Sequence, residues 1–357
     1  MSKTNTAKQA LPGQAIARPT ARSNTYVLDL LEAWSGTIIL VLVMGYFTWV
    51  STAFLSIENL VGIIQATAIT FFISLGVMVS LTVGGFDLSI GSIASMTSML
   101  AAGIMVLYQW PYPLAIVLPV LLGGAIGALN GFIIVGIGLP DLLATLGMMF
   151  AIGGVQQVYS SGQNIYSHMT LATGEMLPGE ISAGFVGLIN GTIAGIPIPF
   201  VLMLVIGGVF FYLMRWTRWG RLFYAVGDNI GAARVAGVPV NRYRIIAYVI
   251  SGAVAGFGGV LLTALLNAGE TQAGSSYLLQ AVTAVFLGAA FFGRNRVGVL
   301  GTLVGAFILA VLVNGLTMIN MPYTAQDIFK GCLLITAVGL GVVIKRHRER
   351  SAAAGKV

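Results

Sequence analysis

The stretch LTVGGFDLSIGS at 81–92 sets one carboxylate, Asp87, among apolar residues, with Gly84–Gly85 just before it and Ser89 two places on. No Lys or Arg stands between Arg22 and Arg215, so no neighbour in sequence neutralises that charge. At a helix start, Asp87 would accept from free backbone N–H groups near Ile90 and cap the next helix, with the two glycines permitting the turn. At a break deeper in a bilayer, Asp87 and Ser89 would face a polar pathway, and a mid-membrane charge costs about 2.5–3.5 kcal/mol. The sequence admits both readings. Other polar residues within apolar runs are neutral: Gln65, Asn130, Thr145, Gln156, Gln157 and Asn314. Amides and hydroxyls suit a pathway for a sugar-like solute and serve equally well to bond helices together. Gln156 and Gln157 are the pair assigned to a pathway.

Acid–base, metal and nucleotide chemistry find little support. Asp29, Glu32, Glu58, Asp141 and Asp327 fall at the ends of apolar runs, where a carboxylate is cheaply hydrated and one near a helix N-terminus complements the dipole. His168 and His347 fall in an outer loop and a tail, too far from the interior to make an intramembrane metal site. No clustered His, Asp and Cys set exists to carry catalysis, so no enzyme, metal or cofactor is expected. No Gly-x-x-x-x-Gly-Lys-Ser/Thr phosphate loop is present; the only Gly-Lys pair, Gly355–Lys356, precedes Val357. Any ATP that drives this chain is therefore expected on a partner subunit.

The elements that must hold these groups follow from composition. The chain is 57% hydrophobic and 8% charged, whereas a soluble domain carries about a quarter charged residues. Apolar runs of roughly 20 residues are long enough to span a bilayer as helices. The fold class is all-α, a polytopic membrane protein. Spans are expected near 35–54, 60–82, 88–108, 113–137, 141–159, 198–214, 245–266, 276–292, 299–319 and 328–344. Arg215, Arg218 and Arg221 follow the sixth, Arg294 and Arg296 the eighth, and KRHRER (345–350) the tenth. That clustering is what the positive-inside rule asks of about ten transmembrane helices with cytoplasmic N- and C-termini. It also explains the net charge of +7 without nucleic acid as a partner.

Residues 1–34 form a cytoplasmic tail, within which YVLDLLEAW (26–34) suits a short amphipathic helix on the membrane surface. Residues 35–344 are the transmembrane domain and 345–357 a second cytoplasmic tail. The segment 160–197 is extracytoplasmic and holds a partial helix at most. The lone Cys332 rules out an internal disulfide. Small-residue runs, GGAIGALNG (123–131), SGAVAGFGG (251–259) and GTLVGA (301–306), suit close helix packing. The stretches 123–143 and 301–328 each pass from a small-residue helix through Asn to Pro and then an acid. In this topology they cross in opposite directions, as two inverted five-helix halves would.

The cytoplasmic loop 215–244, RWTRWGRLFYAVGDNIGAARVAGVPVNRYR, contains its own helix signal. Asp228 or Asn229 caps the start, and Gly237 followed by Pro239 stops it. The result is about two turns, too short to be stable unless packed against something. Either the loop lies on anionic headgroups, or the helix docks a cytoplasmic partner.

GGFDLSIGS, ATLGMMFAIGGVQQVYSSGQNI (144–165) and TRWGRLFYAVGDNIGAARVAGVPVNRYR, in this order, resemble ribose-type ABC sugar-transporter permeases. These are the inner-membrane subunits of ribose, xylose, arabinose and galactoside importers, related to branched-chain amino-acid permeases. The resemblance covers about residues 36–344. It implies a bacterial inner-membrane subunit that works with a cytoplasmic ABC ATPase, a periplasmic sugar-binding protein and a second permease copy, identical or closely homologous. Gly227, Asn229, Ala232, Ala233 and Gly237 match the ATPase-coupling loop. Gly84, Gly85, Asp87, Leu88, Ser89 and Gly91 match the glycine–aspartate–serine signature. Where the family commonly reads Gly-Gly-Thr and a glycine-rich turn after the eighth span, this chain has GAAFFGRNRVG (288–298). An ion-coupled secondary transporter is the rival class; it needs ionisable groups within the bilayer, and the interior has few.

Overall fold

A computed structural model describes residues 23–170, 174–291 and 296–354. They form α1 (Ser23–Val50), α2 (Ile57–Thr82), α3 (Ile90–Val106), α4 (Tyr112–Phe132) continued by a π-helical turn (Ile133–Ile137), and α5 (Asp141–Ser160). A short α6 (Ala183–Asn190) precedes α7 (Ile198–Trp216), α8 (Arg218–Asp228) and α9 (Ile230–Val235). Then follow α10 (Val240–Leu266), α11 (Ala273–Phe291), α12 (Val299–Met318) and α13 (Tyr323–Ala354). Seven of these helices are long and apolar enough to cross a membrane, namely α2, α4 with its π-turn, α5, α7, α10, α11 and α12. Gly36–Val50 of α1 and all of α3 are apolar but shorter. Residues 26–34, expected as a short surface helix, lie within α1, which runs unbroken to Val50. Part of the unusual 288–298 turn, residues 292–295, lies outside the described residues.

Proline sets several helix starts. Pro111, Pro140, Pro197 and Pro239 stand directly before α4, α5, α7 and α10. A proline has no N–H to lose and pushes the residue before it out of helical conformation, so the preceding segment ends there. Among the described residues of 161–197, α6 is the one helix, with Phe185 and Ile189 buried, in keeping with a partial helix.

The core is organised around α10, which packs against α2, α3 and α4. Its seam with α4 is made of glycine. A Cβ added at Gly123 would run into the carbonyl of Gly252, one at Gly127 into that of Tyr248, and one at Gly252 into that of Gly123. A second such seam joins Gly288 of α11 to Gly301 of α12, with Gly305 against Ala284. The three small-residue runs of the sequence thus bring helix backbones into direct contact, as small residues do in lipid.

The loops segregate to two ends of the bundle. At one end the 83–89 segment, the start of α5, the α8–α9 pair and the 296–298 segment meet, through Gly84 on Gly227, Thr145 on Phe86, and Tyr224 on Val297. At the other, Ile165–Tyr166 pairs antiparallel with Ala268–Gly269, and Asn59 exchanges hydrogen bonds with Asn314. Arg215, Arg218, Arg221, Arg234, Arg242, Arg244 and Arg296 belong to the first end.

Candidate functional site

The signature GGFDLS is a helix exit followed by a tight turn. Gly84 (φ +73°) donates to Leu81 O at 3.1 Å and Gly85 to Ser80 O at 3.0 Å, the paired bonds that close a helix on a left-handed residue. The first glycine is required for its conformation and the second for space. A Cβ on Gly85 would lie 2.6 Å from the Tyr248 hydroxyl and 3.2 Å from Asp141 Oδ2. Tyr248 is two turns into α10 and Asp141 opens α5, so the break is buried between these helices at the loop end of the bundle.

Asp87 is 1% exposed. Its Oδ1 accepts from the Ser89 N–H at 2.9 Å and from the Ser89 hydroxyl at 2.6 Å, and that hydroxyl accepts from Asn130 Nδ2 at 2.8 Å. The N-cap reading of Asp87 is therefore corrected. The cap position of α3 is Ser89, which makes no side-chain cap bond, and Asp87 closes a turn on Ser89 instead of reaching Ile90. Asp87 Oδ2, Asn130 Oδ1 and the Tyr248 hydroxyl are buried without a hydrogen-bond partner among the described residues.

Beside this turn, Arg244 Nη2 donates to both oxygens of Asp141, at 2.6 and 2.8 Å, with both side chains 18% exposed. Asp141 is thus not a hydrated span end but half of an ion pair between α5 and α10. At the far end of the chain, Lys330 donates to Asp327 at 2.9 Å. Asn130, Asp141, Arg244 and Tyr248 were not legible as one cluster. Asp141 and Arg244 stand 103 residues apart, and nothing in one sequence pairs them.

The α8–α9 unit sits directly on the glycine turn. Phe223 and Val226 of α8 are buried, and the Phe223 and Trp219 rings pack edge-on against Tyr243. A Cβ on Gly227 would strike the Thr82 carbonyl and lie 3.0 Å from Gly84 N. Asn229 caps α9 as expected, accepting from Ala232 N at 2.9 Å. Gly237 (φ +78°) closes it, with Gly237 N on Arg234 O and Val238 N on Ala233 O at 3.1 and 3.0 Å. Of the five residues that the resemblance matches to a coupling loop, Asn229, Ala232 and Gly237 are exposed, whereas Ala233 is buried against this chain's own core and Gly227 is half-buried. Val235 at the end of α9 is 91% exposed.

Gln156 and Gln157 stand apart from this cluster. Gln156 is buried and donates to Ser95 O and Glu270 O at 3.2 and 3.4 Å, tying α5 to α3 and the 267–272 segment. Both glutamines line a cavity of about 390 Å³ with Gly91, Ser92, Phe150 and Gln272. Asp87, Ser89 and Gly85 do not line it, although Gly91 continues their strand of chain into its wall. Gly147, Gly153 and Gly154 of α5 have nothing of this chain within 4 Å of a Cβ position, and Phe150 is 69% exposed. His168 is exposed, 3.9 Å from Glu180.

The family model for the branched-chain amino acid transport system / permease component matches residues 59–338. The ribose import permease protein of Escherichia coli (strain K12) is 32% identical over 86% of this chain and 94% of its own length. Its counterpart from Haemophilus influenzae is 29% identical over 88% and 95%, and the xylose transport system permease protein of Escherichia coli (strain K12) 28% identical over 97% and 100%. No solved structure matches the chain. The chain belongs to this family of transport permeases. Within it, the chain falls in the ribose-type group whose motifs it carries, as a multi-pass inner-membrane protein.

Proposed function

We propose that this chain is the membrane subunit of an ATP-driven sugar importer. Ten spans cross the membrane in two inverted five-helix halves, both termini are cytoplasmic, and the basic end of the bundle faces the cytoplasm. A separate ABC ATPase docks on α8–α9, presenting nucleotide-dependent force to a unit that has no phosphate loop of its own. A periplasmic sugar-binding protein delivers cargo at the opposite end. A second copy, or a close homologue, completes the pathway against the open face of α5 that carries Gly147, Phe150, Gly154 and Gln157.

The observation that carries the reading is the seating of Gly227 on the Gly84–Gly85 turn. Backbone meets backbone there, with no side chain to absorb a shift, so motion of α8 is passed to the turn that leads into α3. Through Ser89, Gly91 and Ser92 that turn reaches the cavity with Gln156 and Gln157. The ATPase changes the pathway only as far as it binds its two states differently. The cavity's amides and hydroxyls, with an aromatic face at Phe150, suit a neutral polyhydroxylated solute. Relatives named for ribose and xylose make those sugars the first to try.

The test is reconstitution in proteoliposomes with a cognate ATPase and binding protein. ATP-dependent uptake of one of these sugars, absent when the ATPase is omitted, is the expected result. Uptake that persists without the ATPase and collapses with the proton gradient would instead establish a secondary transporter.

A further inference from the structure

A second cavity, of about 560 Å³, opens where α7 ends, α8 begins and α12 starts. Among the described residues its wall carries three guanidinium-bearing side chains, Arg215, Arg221 and Arg296, and one acid, Asp228. Arg296 is ion-paired with Asp228 and lies 5.8 Å over the Tyr224 ring. Burial holds the Tyr224 phenol above its ordinary range, opposed by the nearby charges of Arg296 and Arg215, so both arginines act on the same spot. The Tyr224 hydroxyl donates to Val297 O at 3.0 Å and so fixes the wall beside the first turn of α12. That turn begins at Gly298, which has no side chain to cap it, and holds no acidic residue. Gly298, Val299, Leu300 and Gly301 of that turn line the cavity with the arginines, and the free N–H groups of a first helical turn carry partial positive charge.

The same cavity is half apolar. Phe211, Met214, Val299 and Leu300 complete its wall, Leu300 is 55% exposed, and Tyr212 and Trp216 at the end of α7 are 58% and 59% exposed. Tyrosine and tryptophan gather at the bilayer boundary. A free anion would gain nothing from this greasy margin, whereas a headgroup with acyl chains uses both halves.

We propose that this cavity binds the phosphate of an acidic phospholipid of the cytoplasmic leaflet. The guanidiniums and the α12 N-terminus take the phosphate oxygens, and the chains lie along Phe211, Tyr212 and Leu300. The site rests on the membrane placement of α7 and α12 and not on which solute the protein carries. A lipid held there bridges the α7–α8 corner to the start of α12, beside Asp228 at the entrance to the coupling helix.

Native mass spectrometry of the full chain released from nanodiscs of phosphatidylglycerol and phosphatidylcholine tests this. Wild-type protein is expected to retain phosphatidylglycerol selectively. The variant Arg215→Ala/Arg296→Ala is expected to lose about 30-fold in that affinity, at about 1 kcal/mol per basic residue. Asp228→Asn removes the competing carboxylate, frees Arg296 and is expected to bind more tightly, a gain that a misfolded protein would not show. Equal retention of the two lipids overturns the proposal. So does a double variant that keeps phosphatidylglycerol, or inorganic phosphate competing as well as the lipid does.

Discussion

Gly227→Ala isolates the contact on which the coupling argument rests. The added methyl would strike the Thr82 carbonyl and stand 3.0 Å from Gly84 N, both of them backbone atoms. Neither can rotate away, so α8 must lift from the glycine turn. Overpacking of this kind costs about 1–3 kcal/mol, and a coupling energy of that size corresponds to about 5–150-fold in a linked equilibrium. The assay is ATP hydrolysis by the reconstituted complex with and without sugar-loaded binding protein, alongside thermal unfolding of the permease in detergent. Stimulation is expected to fall within that range while the permease still folds. Gly208→Ala, on α7 with open space at its Cβ, is the matched control: it removes a helix-interior glycine, gains about 1 kcal/mol of helix propensity and leaves stimulation intact. Full stimulation in Gly227→Ala would refute the transmission route.

Val235→Asp places a charge on a side chain that is 91% exposed, where surface changes cost about 0.5 kcal/mol or less; unfolding should be unchanged and ATPase co-purification lost. Ala233→Asp, by contrast, buries a carboxylate and is expected to lower the unfolding temperature, separating a folding defect from a docking defect. Removing either partner of the Asp141–Arg244 pair strands the other and should cost about 3–5 kcal/mol. In the double variant Asp141→Asn/Arg244→Gln, the loss should be smaller than the sum of the singles in a thermal-unfolding cycle. Asp87→Asn keeps the acceptor that serves both Ser89 bonds and should fold as the parent does. Asp87→Leu strands the Ser89 N–H and hydroxyl donors and should lose about 2–5 kcal/mol; equal damage from Asn would show that the charge itself is structural.

The elements were legible wherever local chemistry decides them. Pro140 before Asp141, Asn229 and Gly237 around α9, and the apolar runs each announce a boundary through a conformational rule that acts over a few residues. The glycine runs were legible as packing surfaces, but their partners were not: that 123–131 lies against 252 and 256 is a tertiary fact. The same limit explains Asp87. Ser89 stands 2 residues from Asp87, and Asn130, which bonds Ser89, stands 41 residues beyond Ser89, so only the nearer could be weighed. The cap reading looked to the first turn of α3, whereas Asp87 bonds back to Ser89 within its own turn. Ala233 shows how a resemblance can name a motif without orienting it, since a six-residue helix turns some of its motif residues toward its own core.

The glycine seam between α4 and α10 also constrains how such a machine can move. Two helices in backbone contact have no cushion of side chains that could re-form in a second arrangement, so sliding by a fraction of a turn would collide carbonyls with Cα atoms. They must travel as one beam. The hinge lines then fall elsewhere, along the thinly covered α5, joined to α10 by the Asp141–Arg244 pair near one end and to α3 and the 267–272 segment by Gln156 near the other. A crosslink placed across α4 and α10 should therefore be harmless to cycling, whereas one that staples α5 to α10 midway between those two fastenings should stall it.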